Sequence, residues 1–228
     1  MIIHGWGKYP LVDSENLELS SAKLWDDCFI PRGNLRSYGD AALHKNSYSS
    51  LSDDFMISFS SDTGLLRCRA GVLLADIIRV FLPKGWYPKV TPGTKQITIG
   101  GAVAADVHGK NHHIDGCFSE SVESFLLLQG PNKYLSCSRT EQPELFNATC
   151  GGMGLTGIII EVSFYLKRVN SRWINQSTVK TLNLDETFKA FEDNKNAPYS
   201  VAWIDCLASG DNLGRSLLMI GDFDDDGD

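Results

Sequence analysis

No two of the six cysteines in this 228-residue chain form a Cys-x-x-Cys pair; Cys28, Cys68, Cys117, Cys137, Cys150 and Cys206 are scattered. A structural zinc site or redox dithiol needs ligands at short, fixed spacing, so neither is expected, and no other metal site is signalled. The thiols are expected to be reduced and partly buried. No apolar run approaches the ~20 residues of a membrane-spanning helix. Met1-Ile2-Ile3-His4-Gly5-Trp6 lacks the basic start and long apolar core of a secretory signal, so a cytoplasmic location is expected. Positive charge is also scarce. The net charge is −7, and Asp222, Asp224, Asp225, Asp226 and Asp228 supply five negative charges near the end, leaving −2 for the rest. That balance argues against a nucleic-acid binder. Asp222-x-Asp224-x-Asp226-Gly227 resembles the front of a calcium loop without its closing glutamate, so a solvated acidic tail is expected.

What is present suits a real core: 43% of residues are hydrophobic, enough for one large domain or one domain and part of another. Met56–Ser60 and Leu65–Ala70 read as strands around an Asp62-Thr63-Gly64 turn, and Leu73–Leu82 as a helix with Leu74, Ile77, Ile78 and Phe81 on one face. Glu144–Cys150 reads as a short helix. Ile158, Ile160, Val162, Phe164 and Leu166 alternate with polar or less buried types, the clearest strand pattern in the chain. Past Lys167 a fresh unit begins. Trp173–Val179 is strand-like, Asn183 with Glu186 opens a helix from Leu184 to about Asn194, and Val201–Cys206 and Ser216–Phe223 are strands. The expected class is α+β, with one domain over 1–167 and a second over 168–228.

Two segments carry chemistry. In Thr98-Ile99-Gly100-Gly101-Ala102-Val103-Ala104-Ala105-Asp106-Val107-His108-Gly109-Lys110-Asn111-His112-His113, small residues are followed by a dense set of donors. Small residues let a backbone approach a flat partner, and the polar end supplies donors and a titratable imidazole. This reads as a pocket wall. In Pro31-Arg32-Gly33-Asn34-Leu35-Arg36-Ser37-Tyr38-Gly39-Asp40, successive backbone N–H groups and two guanidinium groups can cradle an anion. Gly152-x-Gly154-x-x-Gly157 fits a dinucleotide fingerprint literally, but it precedes a strand instead of opening a helix, so a turn into that strand is expected.

Together, Arg32-Gly33-x-x-Arg36-Ser37-Tyr38-Gly39-Asp40, Pro92-Gly93-Thr94-x-x-x-Thr98-Ile99-Gly100-Gly101 and Asp106-Val107-His108-Gly109-Lys110-Asn111-His112-His113 resemble the FAD-binding module of the vanillyl-alcohol-oxidase type. Within it they are most similar to the decaprenylphosphoryl-β-D-ribose oxidase branch, related to aldonolactone oxidases. Tyr199-Ser200-x-x-Trp203-x-Asp205 and Leu213-Gly214-Arg215 resemble that branch's substrate domain. The resemblance implies a two-subdomain (PCMH-type) FAD-binding fold followed by an incomplete substrate domain, the chain being shorter than its relatives.

It also implies FAD, bound without a covalent tether, because Arg36 stands where covalent members carry histidine. The implied cofactor contacts are Arg32, Gly33, Asn34, Leu35, Arg36, Ser37, Tyr38, Gly39 and Asp40, then Gly93, Thr94, Thr98, Ile99, Gly100, Gly101, Ala105, Asp106, Val107 and His108, with Ile160 through its backbone. His108, Lys110 and Tyr38 are the implied catalytic set; His112 and His113 are left between contact and packing. Leu35 replaces a common glycine and is expected to have ordinary backbone angles, with its side chain turned away. Gly101→Val is expected to bar the flavin with little loss of fold. The implied reaction oxidises a sugar hydroxyl, at the 2′ carbon of a polyprenyl-phosphate-linked pentose, with a separate reductase as partner. A lipid-linked substrate would put the protein at a membrane surface. The alternatives are an aldonolactone or sugar-alcohol oxidase and a non-catalytic flavin-fold binding protein.

Overall fold

The computed structural model describes residues 1–26 and 28–225. The end of the acidic tail, and with it the expectation of a solvated segment there, lies outside the described residues. The chain begins with short strands β1 (Ile2–Ile3), β2 (Val12–Asp13) and β3 (Glu15–Asn16), helix α1 (Ala22–Asp26), and strands β4 (Ile30–Arg32) and β5 (Asn46–Ser49). Next come β6 (Met56–Phe59), β7 (Leu65–Arg69), α2 (Leu74–Phe81), β8 (Trp86–Pro88), α3 (Ile99–Ala104) and α4 (His112–Asp115). The remainder is β9 (Val122–Leu128), β10 (Tyr134–Ser138), α5 (Pro143–Thr149), β11 (Ile158–Arg168), β12 (Ile174–Thr181), α6 (Leu184–Asp193), β13 (Tyr199–Ile204) and β14 (Ser216–Phe223).

Strands and helices share the chain, as expected of an α+β protein. A parallel sheet of order β3-β5-β4 stands beside an antiparallel sheet of order β10-β9-β11-β7-β6, with β8 added along the far end of β11. A third sheet, β12-β14-β13, is antiparallel. Leu74, Ile77 and Phe81 of α2, Val103 of α3 and Phe146 of α5 pack with Leu66, Cys68, Phe125 and Phe164 of the large sheet. The α2 stripe is the one its spacing predicts, and Gly85, at φ +75°, closes the turn that follows it. A smaller cluster, Leu17, Leu24, Tyr48, Leu128, Ile158 and Ile160, joins the parallel sheet to the large one.

β11 departs from its reading as one alternating face. Its pairing with β9 slips between Ile159 and Glu161, a β-bulge at Ile160. The extra residue reverses the parity of the side chains. Ile158 and Ile160 therefore enter the smaller cluster, while Val162, Phe164 and Leu166 enter the larger. One strand thereby serves two cores. The parallel sheet escaped the sequence reading because β5 is Asn46-Ser47-Tyr48-Ser49, buried yet largely polar.

In the third sheet α6 covers one face. Asn183 caps the helix, its side-chain oxygen accepting from the Glu186 N–H at 2.9 Å, while the Glu186 carboxylate reaches back to the Leu182 N–H rather than to Asn183. Thr181, Thr187 and Ser216 are buried under the helix but mutually bonded, with the two threonine hydroxyls 2.7 Å apart. No helix among the described residues is long and apolar enough to cross a membrane.

Candidate functional site

Three backbone segments converge on one cleft: the end of β4, the start of α3 and the glycine turn ahead of β11. Glycine is required at the contacts. A Cβ on Gly33 would lie 2.2 Å from Thr98 Oγ1, one on Gly100 2.8 Å from Ala70 Cβ, and one on Gly154 2.8 Å from Pro31 Cγ. Thr98 is the N-cap of α3 and its hydroxyl accepts from the Gly101 N–H at 3.1 Å. The Gly33 loop is thus pressed onto the cap of the helix that carries the Gly-Gly pair, and Asn34 Nδ2 donates to the Gln96 carbonyl at 2.8 Å beside it. Arg32, Gly33, Tyr48, Ser50, Gly100, Gly101, Ala104, Gly154, Gly157, Ile158 and Ile159 are among the residues lining the cleft.

Arg32 is its most informative side chain. It is only 8% exposed, yet its guanidinium is met by neutral groups: Ser47 Oγ at 3.1 Å, Ser49 Oγ at 3.4 Å and the Met1 sulfur at 3.6 Å. No carboxylate pairs with it among the described residues. Burial alone pulls its pKa down. A buried cation without a counter-charge is costly, and an anion in the cleft would offset that cost.

The histidine-rich segment forms a loop cinched at its base. Asp106 Oδ1 accepts from the Ser119 N–H at 2.8 Å and Oδ2 from the Ser119 hydroxyl at 3.0 Å. Asp106 sits at φ +38°, and His108 bridges to Cys117 across the loop. His108, His112 and His113 are exposed and their rings follow one another at 5.6 and 5.7 Å. Desolvation, with Asp106 and Glu120 nearby, pushes the Cys117 thiol up, so its nucleophilic thiolate is disfavoured. On its far side the loop meets the third sheet: the Ser200 N–H donates to the Lys110 carbonyl at 3.0 Å, and His113 Nε2 lies 2.9 Å from the Ala197 carbonyl. A second pocket opens there between Lys110, Tyr87, Thr91, Gln176, Tyr199 and Phe223. Burial pushes both tyrosine phenols up, Tyr87 bonding to Thr91 and Tyr199 standing near Asp115 and Asp222.

The residues singled out in the sequence fall into three groups. Arg32, Gly33, Gly100 and Gly101 meet in the first cleft, with Thr98 behind them. Ser37, Arg36, Tyr38, Gly39 and Asp40 continue the loop outward; the Trp6 N–H donates to the Ser37 carbonyl, Arg36 lies over the Trp6 ring, and Tyr38 is 81% exposed. Gly93 and Thr94 form the neighbouring turn, Thr94 accepting from the Gln96 N–H.

The expectation for Leu35 needs correction. Leu35 has φ +54°, the left-handed region, so its backbone is not ordinary and the position retains a glycine conformation. Ile99 turns its wholly buried side chain into the core, and Ala105 and Val107 close the end of α3 through the Gly101 and Ala102 carbonyls. The Asp106 carboxylate is spent on Ser119. The Ile160 carbonyl accepts from the Ala70 N–H at 3.0 Å and its side chain is buried, while its neighbours Ile158 and Ile159 line the cleft. A Cβ on Gly101 would meet Thr98 Oγ1 at 2.9 Å, so Gly101→Val strains the helix cap as well as the cleft. Tyr48, Ser50 and Ala70 went unread, because residues in or just after β5 and β7 carry no local signal that they meet. Among the described residues no group of three His, Cys, Asp or Glu is arranged to hold a metal ion.

Comparison with known proteins agrees with this geometry. The FAD binding domain family matches residues 19–138, more than half of the chain. The chain belongs to that FAD-binding family. Its cofactor is FAD, and the family members to which it is similar include oxidoreductases. It is 37% identical over 200 residues to decaprenylphosphoryl-β-D-ribose oxidase of Mycolicibacterium smegmatis, covering 84% of this chain and 43% of that protein. An uncharacterised Streptomyces coelicolor protein is 33% identical over 152 residues, 66% of this chain and 41% of the relative. A putative D-arabinono-1,4-lactone oxidase of Neurospora crassa is 29% identical over 109 residues, 48% and 19% of the two. The chain thus spans less than half the length of these relatives.

Proposed function

We propose that this chain is the flavin-holding part of an oxidoreductase that converts a hydroxyl of a polyprenylphosphoryl pentose to a ketone, with FAD bound non-covalently. The observation that carries the binding mode is Arg32, a buried guanidinium that lines a glycine-rich cleft and pairs with no carboxylate among the described residues. The FAD diphosphate is the anion that fits it, held further by backbone N–H groups of the Gly33–Tyr38 loop. Gly100 and Gly101, with no side chain, allow the cofactor close to α3. We assign this role to a first domain over 1–167, and contact with substrate to Lys110 and a second domain over 168–228.

When bound, FAD supplies the hydride acceptor. The chain's own residues then orient the substrate and handle its proton. Lys110, lining the pocket with Tyr87, Gln176 and Tyr199, suits an oxygen-rich or anionic group. To exposed His108 on the cinched loop we assign the taking or balancing of a proton, and exposed Tyr38 offers a further phenol on the outer side. Likeness to the Mycolicibacterium oxidase favours the pentose.

Arg32→Met tests the binding mode. The apo variant is expected to be as stable as the parent or more so, since a buried uncompensated charge is removed. FAD affinity, followed by fluorescence quenching, should fall at least about tenfold for loss of one charge-assisted contact. Unchanged affinity would place the diphosphate elsewhere. For the substrate, a polyprenylphosphoryl pentose should raise the melting midpoint of the FAD-loaded chain where D-arabinono-1,4-lactone does not; the reverse would move the assignment to the lactone oxidases.

A further inference from the structure

We infer that Lys167 is a positioning residue that holds the third sheet against the loop carrying His108 and Lys110, and so sets the pocket over Lys110. The inference rests on the flavin reading only for what that pocket does. Lys167 lies near the end of β11, in register with Tyr87 of β8. Its ammonium donates to Tyr199 Oη of β13 at 2.7 Å and stands 3.8 Å from Asp115 Oδ2 at the end of α4. It also lies over the rings of Tyr199 and Phe223, at 4.9 and 5.6 Å. One cation therefore touches the large sheet, the loop and two strands of the third sheet.

The Asp115 end is anchored in turn. Its Oδ2 accepts from Asn111 Nδ2 at 2.5 Å, and the same amide donates to the Lys89 carbonyl at 2.8 Å. Asn111 is wholly buried within the segment that carries Lys110. At the Tyr199 end, the next residue, Ser200, uses its N–H on the Lys110 carbonyl rather than on β14. β13 is an edge strand, and its free edge docks on the loop. A lysine that is largely covered, hydrogen-bonded and flanked by two rings has given up most of its water, so its contacts are stronger than those of a surface pair. Removing it unfastens Tyr199 and leaves Asp115 with one fewer partner, breaking a link that spans all three parts.

Hydrogen exchange on the full chain tests this directly. In Lys167→Met the Ser200 amide should exchange about tenfold faster, as for loss of one charged hydrogen bond, while Val162 and Phe164 in β11 keep the parent's rates. Lys167→Arg should restore Ser200 protection, and Tyr199→Phe, which removes only the hydroxyl, should shift Ser200 in the same direction by less. With FAD added, Lys167→Met should alter the visible absorption envelope of the bound flavin and Lys167→Arg should not, with affinity for FAD unchanged in both. Ser200 protection equal to the parent's, or faster exchange spread evenly into β11, would overturn the assignment. If the parent takes up no FAD, the flavin reading fails and the exchange arm still decides the role of Lys167.

Discussion

Leu35 stands at φ +54° with a half-buried side chain, in the middle of the loop proposed to meet the cofactor. A non-glycine residue held there costs about 1–2 kcal/mol, and part of any gain from glycine is returned as unfolded-chain entropy of about 0.5–1 kcal/mol. Leu35→Gly is therefore expected to stabilise the protein by up to about 1 kcal/mol, read from urea midpoints, and to leave FAD affinity intact or improved. A lower midpoint would mean that the leucine side chain contributes more than its backbone costs. Asp205 offers a pH test. Two bonds from Arg215, at 2.9 and 2.5 Å, and the Leu207 N–H hold its carboxyl below the ordinary range. Because the folded pKa is the lower one, its contribution to stability is present above the ordinary carboxylate pKa and fades as pH falls through the folded value. Arg215→Met should bring the Asp205 titration, followed by carboxyl NMR shift, back toward the usual range.

At the scale of elements, α6 was legible because its signals are local. Asn183, Glu186 and the polar–apolar spacing all lie within one stretch, and the helix forms where they place it. Asn183→Ala should cost about 1 kcal/mol, the usual loss for an N-cap, measurable by thermal or urea unfolding. β11 was half legible. Its alternation announced a strand, but the bulge at Ile160 is imposed by what pairs beside it, and parity alone could not show two cores. α3 was read as a pocket wall without its helix, since Gly-Gly is a poor helix sequence; Thr98 and packing on Ala70 and β11 override that propensity. It follows that Gly101→Val should lower the apo midpoint measurably as well as weaken flavin uptake. A variant that loses flavin with its apo midpoint intact would restore the simpler reading of a bare wall.

For the whole molecule, ligand linkage gives the broadest check. FAD at about a hundredfold over its Kd should stabilise the folded state by about 2.7 kcal/mol, raising the melting midpoint of a chain this size by about 5–10 °C. Acid precipitation should send all yellow colour to the supernatant, since Arg36 cannot serve as a histidine tether and the Cys117 thiol is pushed away from its reactive form. Colour retained in the pellet would refute non-covalent binding. The same scale explains which residues of the cleft sequence alone could find. The Arg32–Asp40 and Thr98–His113 segments are contiguous, so their composition announced them. Tyr48, Ser50, Ala70 and Ile159 lie in or just after three strands of two sheets and meet only after β5, β7 and β11 are in register.

By itself the sequence determined the mixed class, the amphipathic α2, the capped α6, the turn before β11 and the two segments that contribute to the glycine-lined cleft, because each rests on side-chain types and spacing within a few residues. Tertiary structure decided what those segments do. It buried Arg32 among neutral partners, with no counter-charge among the described residues, turned the Asp106 carboxylate onto Ser119 and spent the Ile160 carbonyl on Ala70. It also brought Lys167 across to Tyr199 and Asp115. In each case the partner is distant in sequence, and a charge or hydrogen-bonding group takes its role from the partner it meets after folding.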